Sequence, residues 1–370
     1  MTLPDTSPVP ATNSVNNLWR LDFVPAGCPK CGQSYLVDKP HMGSLCPHCA
    51  IGRLTEQPAR IRPEPPELMI CFQINRDNLE LAFNNFVKGV WLHNDDFNPS
   101  TMLSHLMPVF WPMWLVDSNV SGIWQAEGGF DYKVESSQDS FRDGQWRSQQ
   151  VTENRIRWEA RTGQLKRHYD NIAVPATSLH QNLMAMVGEY QFSRSTVYNP
   201  SQVGSAAIQI PDLHPEETFS LAKSNFDRAS MSDCQKAAQA PHFRNYSIKA
   251  NYDALNWTQL LLPMYVTYYS DDNGQPQIVF VNGQSGVIGG PRLASQKQGW
   301  RLAGIFAGIA VALFVLAVIC FALTAILPPI AALATLLSLL AFGCGLFALV
   351  PAIWPWQWNK KQQSEKISSQ

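Results

Sequence analysis

The chain has 370 residues, of which 45% are hydrophobic and 15% are charged, and its formal net charge is −1. This length is enough for about two ordinary domains. The near-zero charge argues against an electrostatic nucleic-acid binder, which usually carries a clear basic excess. Mean hydropathy is slightly negative, −0.14, although the stretch Leu302–Asn359 contains no Asp, Glu, Lys or Arg. The composition therefore indicates one water-soluble body and one membrane segment.

The segment 18–56 contains two Cys-x-x-Cys pairs separated by fourteen residues. Each pair can place two thiolates on the same side of a tight turn. Gly32 directly follows the first pair, where it can supply a positive φ. Two such pairs at this spacing are typical of a tetrahedral four-thiolate zinc ribbon. We therefore predict one Zn²⁺ ion with the ligands Cys28, Cys31, Cys46 and Cys49.

Other interpretations of these cysteines are a pair of disulfides or a redox motif. Both conflict with a cytoplasmic location, and redox pairs are not usually duplicated at ribbon spacing. His41 and His48 lie close by in the sequence and can replace a thiolate, although four cysteines already complete the metal's shell. A closed shell leaves no position for water or substrate, so the predicted zinc is structural and no catalytic residue is predicted.

Polar segments flank the ribbon on both sides. Residues 1–17 are rich in Pro, Ser, Thr and Asn, which predicts a disordered lead-in. Residues 57–67 are rich in Pro, Arg and Glu, which predicts a linker between the ribbon and the next domain. We expect the linker to separate two independent cores.

The middle of the chain, residues 68–290, predicts an α+β domain with antiparallel sheets. Apolar residues recur at helical spacing over Asn78–Leu92 and Pro215–Ala240. A proline followed by aromatic residues occurs in both halves, so the domain consists either of two degenerate repeats or of two unrelated halves. The predicted β-rich segments are Leu68–Ile74, Leu106–Gln125, Phe130–Glu135, Arg155–Ala160, His168–Val174, His242–Ala250 and Leu260–Ser270.

Two acidic pairs, Asp95–Asp96 and Asp271–Asp272, are candidate metal or acid–base carboxylates. Both stand beside asparagine in turn contexts, where Asp favours bonds to the local backbone, so turn chemistry is the better interpretation. His180, His214 and His242 are far apart in the sequence and flank no nucleophile motif. The chain has no Walker loop, Gly-x-Gly-x-x-Gly, Gly-x-Ser-x-Gly or His-Glu-x-x-His, and we predict that it is not an enzyme.

Two long apolar runs lie near the C-terminus, at 302–326 and 330–354, and Pro328-Pro329 separates them. A hydrocarbon core about 30 Å thick needs ~20 helical residues, so each run is long enough to cross a bilayer. A helical pair buried in a soluble domain is the alternative, but such helices normally have a polar face and these runs have none. We therefore predict a transmembrane helical hairpin.

Basic residues flank the hairpin on both sides, whereas the turn between the spans has none. The flanking residues are Arg292, Lys297, Arg301, Lys360, Lys361 and Lys366. The positive-inside rule then places both termini, the soluble domain and a tail at 359–370 in the cytoplasm. Nearby indoles suit the headgroup layer, where a ring can be half wet; they are Trp300, Trp354, Trp356 and Trp358.

Small residues recur inside the spans and allow close helix packing, either within the hairpin or in a homo-oligomer. They are Gly304, Ala307, Gly308, Ala341, Gly343 and Gly345. The spans contain no charged residue, which argues against an ion or proton pathway. The hairpin is therefore predicted to be an anchor.

Several segments match motifs that occur together in one known family. They are Cys28-Pro-Lys-Cys31-Gly32 with Cys46-Pro-His-Cys49, Trp111-Pro-Met-Trp114, Leu262-Pro263-Met264-Tyr265 and Val281-Asn-Gly-Gln-Ser-Gly286-Val-Ile-Gly289. The last is similar to a Val-Asn-Gly-Gln-Thr-Gly-Lys-Val-x-Gly signature before the first span. On these motifs, nearly the whole chain resembles bacterial membrane proteins with an N-terminal zinc ribbon of the transcription-factor-IIB type, an α+β middle and a C-terminal transmembrane pair. Members are sometimes labelled primosomal or helicase-like, but no helicase motif occurs here.

The resemblance implies a multi-pass protein of the bacterial inner (plasma) membrane. Some relatives are encoded beside flotillin-like or phage-shock-like proteins, which implies membrane-associated partners and a role in membrane stress. Within the signature, Asn282-Gly283 and Ser285-Gly286 fit a tight hairpin, so we interpret it as structural rather than as a ligand site.

From the residues and the resemblance together we expect a non-enzymatic membrane adaptor or scaffold that recruits partner proteins to the lipid bilayer. One alternative is a zinc-ribbon nucleic-acid-binding membrane protein, for which the basic residues are Lys30, Arg53, Arg60 and Arg62. Asp38 and Glu56 dilute that basic patch and argue against nucleic acid as a partner. The other alternative is a membrane-bound enzyme with an unrecognised site.

Overall fold

The computed structural model describes residues 18–59, 61–142, 145–324 and 327–368. The predicted lead-in at 1–17 therefore lies outside the described residues, as do Arg60 of the linker and the end of the first predicted span. The described chain is a mixed α+β fold with a cysteine cluster near its N-terminus and two apolar helices near its C-terminus.

Eleven strands and seven α-helices occur within the described ranges. The strands are β1 (Phe23–Gly27), β2 (Ser34–Asp38), β3 (Thr55–Glu56), β4 (Leu68–Met69), β5 (Met107–Arg142), β6 (Gln145–Pro175), β7 (Thr196–Val197), β8 (Ala207–Gln209), β9 (His242–Ser270), β10 (Pro276–Asn282) and β11 (Ile288–Gly289). The helices are α1 (Arg76–Val87), α2 (Pro99–Ser104), α3 (His180–Val187), α4 (Pro200–Val203), α5 (Pro215–Ala238), α6 (Gln296–Leu323) and α7 (Ile330–Ser368).

The chain forms two compact units. Unit 1 comprises the residues up to Pro112, the segment Leu179–Ile210 and the residues from Leu261 onward. Unit 2 comprises Met113–Ser178 and Pro211–Leu260. The chain passes from one unit to the other inside β5 and inside β9, so each of these long strands contributes to both units.

The strands are neighbours in the order β11-β10-β9-β5-β8-β2-β1-β3, while β6 pairs with β5, and β4 pairs with β7 and β9. The described register pairs are antiparallel, except that β8 runs parallel to β5 through Val109↔Ala207 and Phe110↔Ile208. The sheet is therefore mixed, whereas antiparallel sheets were expected. A parallel pair needs a long connection between its strands, and here the chain from β5 to β8 passes through β6 and α3.

The β1–β2 hairpin that carries the first cysteine pair belongs to this sheet. Tyr35↔Gln209 and Leu36↔Ile208 pair β2 with β8. Leu36 also lies in one buried apolar cluster with residues from well beyond the linker, among them Met69, Phe110, Ile208 and Leu261. The segment predicted to form the ribbon therefore shares a core with the α+β part, and the expectation of separate cores is wrong. The boundaries 18–56, 57–67 and 68–290 as folding units stay a prediction.

Unit 2 is built on a long β5–β6 hairpin. Its ladder runs from Met113↔Pro175 to Arg142↔Gln145, with one irregularity between Val116 and Ser118. One face packs against α5, where Trp114, Trp124 and Phe226 are buried. The predicted β segments between Leu106 and Ser270 are parts of β5, β6 and β9, whereas only Leu68–Met69 of the predicted Leu68–Ile74 forms a strand, β4.

Glycines inside these strands explain why the strands are longer than expected. A Cβ on Gly163 would lie 2.9 Å from the Trp124 indole, and a Cβ on Gly129 would lie 2.7 Å from Cγ2 of Ile156. Both glycines therefore allow a close approach by a neighbouring strand instead of ending their own strand.

Local signals define the two predicted helices of the soluble part. The Asn75 side chain accepts a bond from Asn78 N (2.9 Å), and this N-cap starts α1 two residues before the predicted position. The helix ends at Val87 because Gly89 takes a left-handed φ of +89°. Helix α5 covers the predicted Pro215–Ala240 almost completely and stops where Gln239 turns left-handed.

Candidate functional site

The first half of the candidate metal centre is a tight turn after β1. Cys28 N donates to Gln33 O, and Gly32 N donates to Cys28 O, each at 2.9 Å. Gly32 has φ +76°, a conformation that suits glycine. This turn folds Cys28 and Cys31 onto one side, as the sequence spacing predicts.

The second half is a similar turn that contains Cys46 and Cys49. Cys46 N donates to Gly52 O, and Ala50 N donates to Cys46 O, each at 2.8 Å. A Cβ on Gly52 would lie 2.4 Å from the Cys28 sulfur, so only glycine allows the two turns to come this close. The role of Gly52 is not visible in the sequence, because it depends on a contact between distant turns.

The four predicted ligands lie together. The Sγ atoms of Cys28 and Cys49 are 3.6 Å apart, as are those of Cys31 and Cys46, and all four sulfurs lie within 4.8 Å of one another. These separations exceed a disulfide bond of about 2.05 Å. A tetrahedral ion with metal–sulfur bonds of about 2.3 Å needs Sγ–Sγ edges of about 3.8 Å. The cluster can therefore bind one metal ion, and its geometry is consistent with zinc but not specific to it.

Burial and backbone N–H groups shift the pKa values of the thiols in opposite directions. Burial raises the pKa of Cys31 to about 11, and it raises the pKa of Cys46 further. Burial also tends to raise the pKa of Cys28. Hydrogen bonds from the backbone N–H groups of Cys31 and Lys30 outweigh this effect and lower the pKa of Cys28 to about 7. Four thiolates in this environment therefore need a bound cation, and binding it would release protons.

The two neighbouring histidines lie outside the sulfur cluster. His41 Nδ1 lies 2.5 Å from Asp38 Oδ1, in a contact at the protein surface. Burial lowers the pKa of His48, and its Nδ1 atom has no hydrogen-bond partner among the described residues. The group of potential ligands consists of the four cysteines alone among the described residues.

Asp271 and the signature residue Asn282 each bond to the backbone of their own turn through their side chains. Asp271 Oδ1 accepts bonds from Asn273 N (2.8 Å) and Gln275 N (2.9 Å), which confirms turn chemistry at that pair. In the signature, Asn282 Oδ1 accepts bonds from Gln284 N and Ser285 N inside the β10–β11 turn.

The signature also connects this turn to the rest of unit 1. Gln284 Oε1 accepts a bond from Gln191 N at 2.7 Å, and Asn282 Nδ2 donates to Val187 O at 3.2 Å. Of the two glycines expected to take positive φ, Gly286 does so (+79°). Gly283 is instead needed for space, because a Cβ there would lie 2.8 Å from Pro263 O.

A small cavity of about 120 Å³ lies beside the ribbon in unit 1. Its walls include Val37, His41, Leu54, Leu106, Pro108 and Ala207. Most of these side chains are apolar, and the volume is well below the 300–1,000 Å³ that is usual for small-molecule sites. The cavity therefore gives no support to a catalytic site.

Helices α6 and α7 are long and apolar enough to cross a membrane. In their most apolar windows 6% and 17% of the residues are buried, respectively, so their apolar side chains face outward. The two helices pack on each other through buried alanines: Ala303 and Ala317 in α6, and Ala334, Ala341 and Ala348 in α7. Ala341 therefore has the predicted packing role. By contrast, a Cβ on Gly304, Gly308 or Gly343 would meet nothing within 4 Å.

The C-terminal third of α7 is fastened to the rest of unit 1. Asn359 bonds both backbone groups of Ala294: its Oδ1 accepts from Ala294 N (2.8 Å) and its Nδ2 donates to Ala294 O (3.0 Å). Trp358 Nε1 donates to Arg292 O at 2.7 Å. Trp354 and Trp358, which were expected in the headgroup layer, also pack against a core cluster of the soluble part.

The other two tryptophans at the ends of the hairpin, Trp300 and Trp356, are more exposed than Trp354 and Trp358. Trp300 and Trp356 are 63% and 58% exposed, and their place in a headgroup layer stays a prediction. The bonds of Asn359 to Ala294 join residues that are 65 positions apart in the chain. No signal in the sequence indicates this pairing.

Comparison with protein-family models, with curated proteins and with solved structures found no match to this chain. The family resemblance therefore depends on its sequence motifs alone.

Proposed function

We propose that this protein is a zinc-stabilised, membrane-anchored adaptor of the bacterial inner membrane. The observation that carries the proposal is that one soluble unit holds a closed four-thiolate cluster and is also fastened to a pair of exposed apolar helices. Four thiolates favour zinc among the common cellular ions. When bound, zinc would cross-link the two turns, and Cys28, Cys31, Cys46 and Cys49 would occupy all four tetrahedral positions.

The membrane assignment is supported by the exposure of the two helices. A soluble protein rarely leaves so large an apolar surface in water, whereas lipid chains cover it at no cost. Ser295, which caps α6, and Asn359 of α7 both belong to the fastened base, so both ends of the hairpin lie on the side of the soluble unit. The basic flanks favour the cytoplasmic side.

The adaptor role is supported by a projecting arm in unit 2. We define the arm as residues 132–142 of β5 paired with residues 145–155 of β6. At about 3.4 Å per residue these strands extend for roughly 37 Å. Strand β9 begins at His242, whose Nε2 atom lies 2.9 Å from Oδ1 of Asp131, the last residue of β5 before the arm. Among the described residues, β9 therefore does not continue alongside the arm, which has two strands only.

An isolated hairpin of this length is marginally stable in water, and its free edges offer main-chain hydrogen bonds to another chain. We assign the arm as the surface that meets membrane-associated partner proteins.

Nucleic-acid binding by the ribbon has less support. Arg62 pairs with Glu67 (2.7 Å) and with Glu64 (3.3 Å), and Arg53 donates to Gly43 O at 2.8 Å. These contacts reduce the charge and the donors that the ribbon could offer to phosphates. Salt-sensitive DNA binding by the purified protein would revive this alternative.

Two experiments test the proposal. Protease added to sealed, right-side-out cells should leave the soluble part intact, and its digestion from outside would contradict the orientation. In-cell crosslinking should then capture protein partners with the full chain. Crosslinking should fail in an armless variant, in which a two-residue Asn-Gly turn replaces the arm and joins Asp131 directly to Ile156. The armless variant must still bind metal and remain in the membrane. Equal crosslinking by both chains would refute the arm as the partner surface.

A further inference from the structure

The loop that follows α1 is held against the base of the hairpin. Leu92 O accepts a bond of 2.6 Å from Ser295 N, at the start of α6. Arg292 donates to Lys88 O at 2.5 Å, on the other side of the loop. Between these two attachments lies Trp91, which contacts the Trp354 ring edge-on with 5.5 Å between ring centroids.

The length of α7 sets the level of this contact relative to a bilayer. From Ile330 to Trp354 the helix rises about 36 Å at ~1.5 Å per residue, slightly more than a hydrocarbon core of about 30 Å. Trp354 therefore reaches the headgroup layer on the side of the soluble unit. The Trp91 ring lies 5.5 Å from the Trp354 ring, so its depth differs from that of Trp354 by at most this distance. Trp91 keeps 46% of its surface exposed.

Positive side chains surround this base. Lys88, Arg301 and Lys360 are exposed, and none of them forms an ion pair with an acidic side chain in the described part of the chain. The nearby Asp272 carboxylate is already engaged by the Lys297 backbone N–H at 2.9 Å. Asp95 likewise accepts a bond from Gln298 at 3.1 Å. These bonds leave both carboxylates negative, but the exposed cations Lys88, Lys297, Arg301 and Lys360 outnumber them, so the base carries a net positive charge.

We infer that Trp91, Lys88, Arg301 and Lys360 form a second membrane contact, which binds the acidic headgroups of phospholipids. The indole occupies the headgroup layer, where one ring face is apolar and the N–H stays wet. The three cations attract anionic lipid over zwitterionic lipid. This inference rests on the membrane anchoring proposed above, and it adds a lipid specificity that anchoring does not require.

The depth of Trp91 is tested with the full chain in lipid nanodiscs, where brominated lipids quench tryptophans that touch the bilayer. Trp91→Phe should lower the quenchable fluorescence and keep a ring against Trp354. Trp300→Phe should lower it as well, as a positive control on the anchor. Trp19→Phe should leave it unchanged, because Trp19 is buried in the soluble core.

Lipid specificity is tested by comparing brominated phosphatidylglycerol with brominated phosphatidylcholine. The wild type should prefer the acidic lipid, and Lys88→Gln should lower that preference by up to about fivefold, the effect of one surface cation. Lys249→Gln, on exposed β9 of unit 2, is the matched control and should change nothing.

The outcomes separate the inference from the anchor. If Trp300 is quenched but Trp91 is not, the second contact is overturned and the anchor stands. If both lipids quench Trp91 equally and Lys88→Gln has no effect, the acidic-headgroup specificity is overturned. If no tryptophan is quenched and alkaline washing releases the chain from membranes, the proposed function itself fails.

Discussion

Replacing Gly52 by alanine tests whether the four sulfurs are held as a metal would hold them. The added Cβ would lie 2.4 Å from the Cys28 sulfur, whereas non-bonded atoms of this kind keep at least 3.0 Å. The sulfur must therefore move by 0.6 Å or more, the difference between these two distances. Metal–sulfur distances in real sites vary by only about 0.2 Å, so the displaced thiolate cannot remain a ligand.

The expected loss is at least about 100-fold in metal affinity, or ~2.7 kcal/mol. This matches the upper end of the effects that changes around metal ligands produce. The metal-free protein should tolerate Gly52→Ala well, because the Cys28 side chain can then rotate away. Affinity is measured by competition with a chromophoric chelator, using cobalt in place of zinc to follow the thiolate bands.

Gly43→Ala is the matched control in the same ribbon. Its Cβ would meet nothing within 4 Å, and its φ of +82° adds backbone strain of about 1 kcal/mol without touching a sulfur. It should therefore lower stability slightly and leave the cobalt spectrum unchanged. Wild-type affinity in Gly52→Ala would refute the four-thiolate geometry.

Three further predictions follow from the same contacts. Gly299→Leu should destabilise the base of the hairpin by about 1–3 kcal/mol, since its Cβ would lie 2.4 Å from Pro351 O, and Gly304→Leu should not; thermal unfolding in detergent compares them. Burial lowers the pKa of His180 to about 4, below its ordinary 6.5, so the unfolded chain takes up the proton first. The free energy of unfolding should then fall by up to about 3 kcal/mol as the pH is lowered from 6.5 to 4. Denaturant unfolding of His180→Phe, measured at the same pH values, should not show this fall. Chelation should raise amide hydrogen exchange in β8 as well as in the ribbon, and an unchanged β8 would contradict the shared core, with β10 as the reference strand.

The metal cluster could be predicted from the sequence because its determinants are local. Each Cys-x-x-Cys pair closes its own turn, and the spacing alone brings both pairs within reach. The apolar helices were predictable for a similar reason, since a charge-free run is a property of composition. The signature turn was predictable in outline, although Gly283 provides space and not a positive φ.

The long strands and the shared core could not be predicted in this way. Gly129 and Gly163 look like strand breaks in the sequence, but their role depends on which neighbouring strand packs against them. The pairing of Leu36 with Ile208 and the bonds of Asn359 to Ala294 join residues that are distant in the chain. Such contacts follow from topology, which periodicity and spacing do not determine.

The fastening of α7 to the soluble part of unit 1 also has a mechanical consequence. Helix α7 stays helical through Pro351 and Pro355 up to its bonds with the rest of unit 1, and Trp354 and Trp358 pack against the core there. If α7 spans a bilayer as proposed, a change in bilayer thickness that alters the tilt of α7 also rotates the part of unit 1 to which α7 is bonded. In the proposed anchor, a local deformation of the membrane would therefore displace the surface of the unit that carries the cysteine cluster.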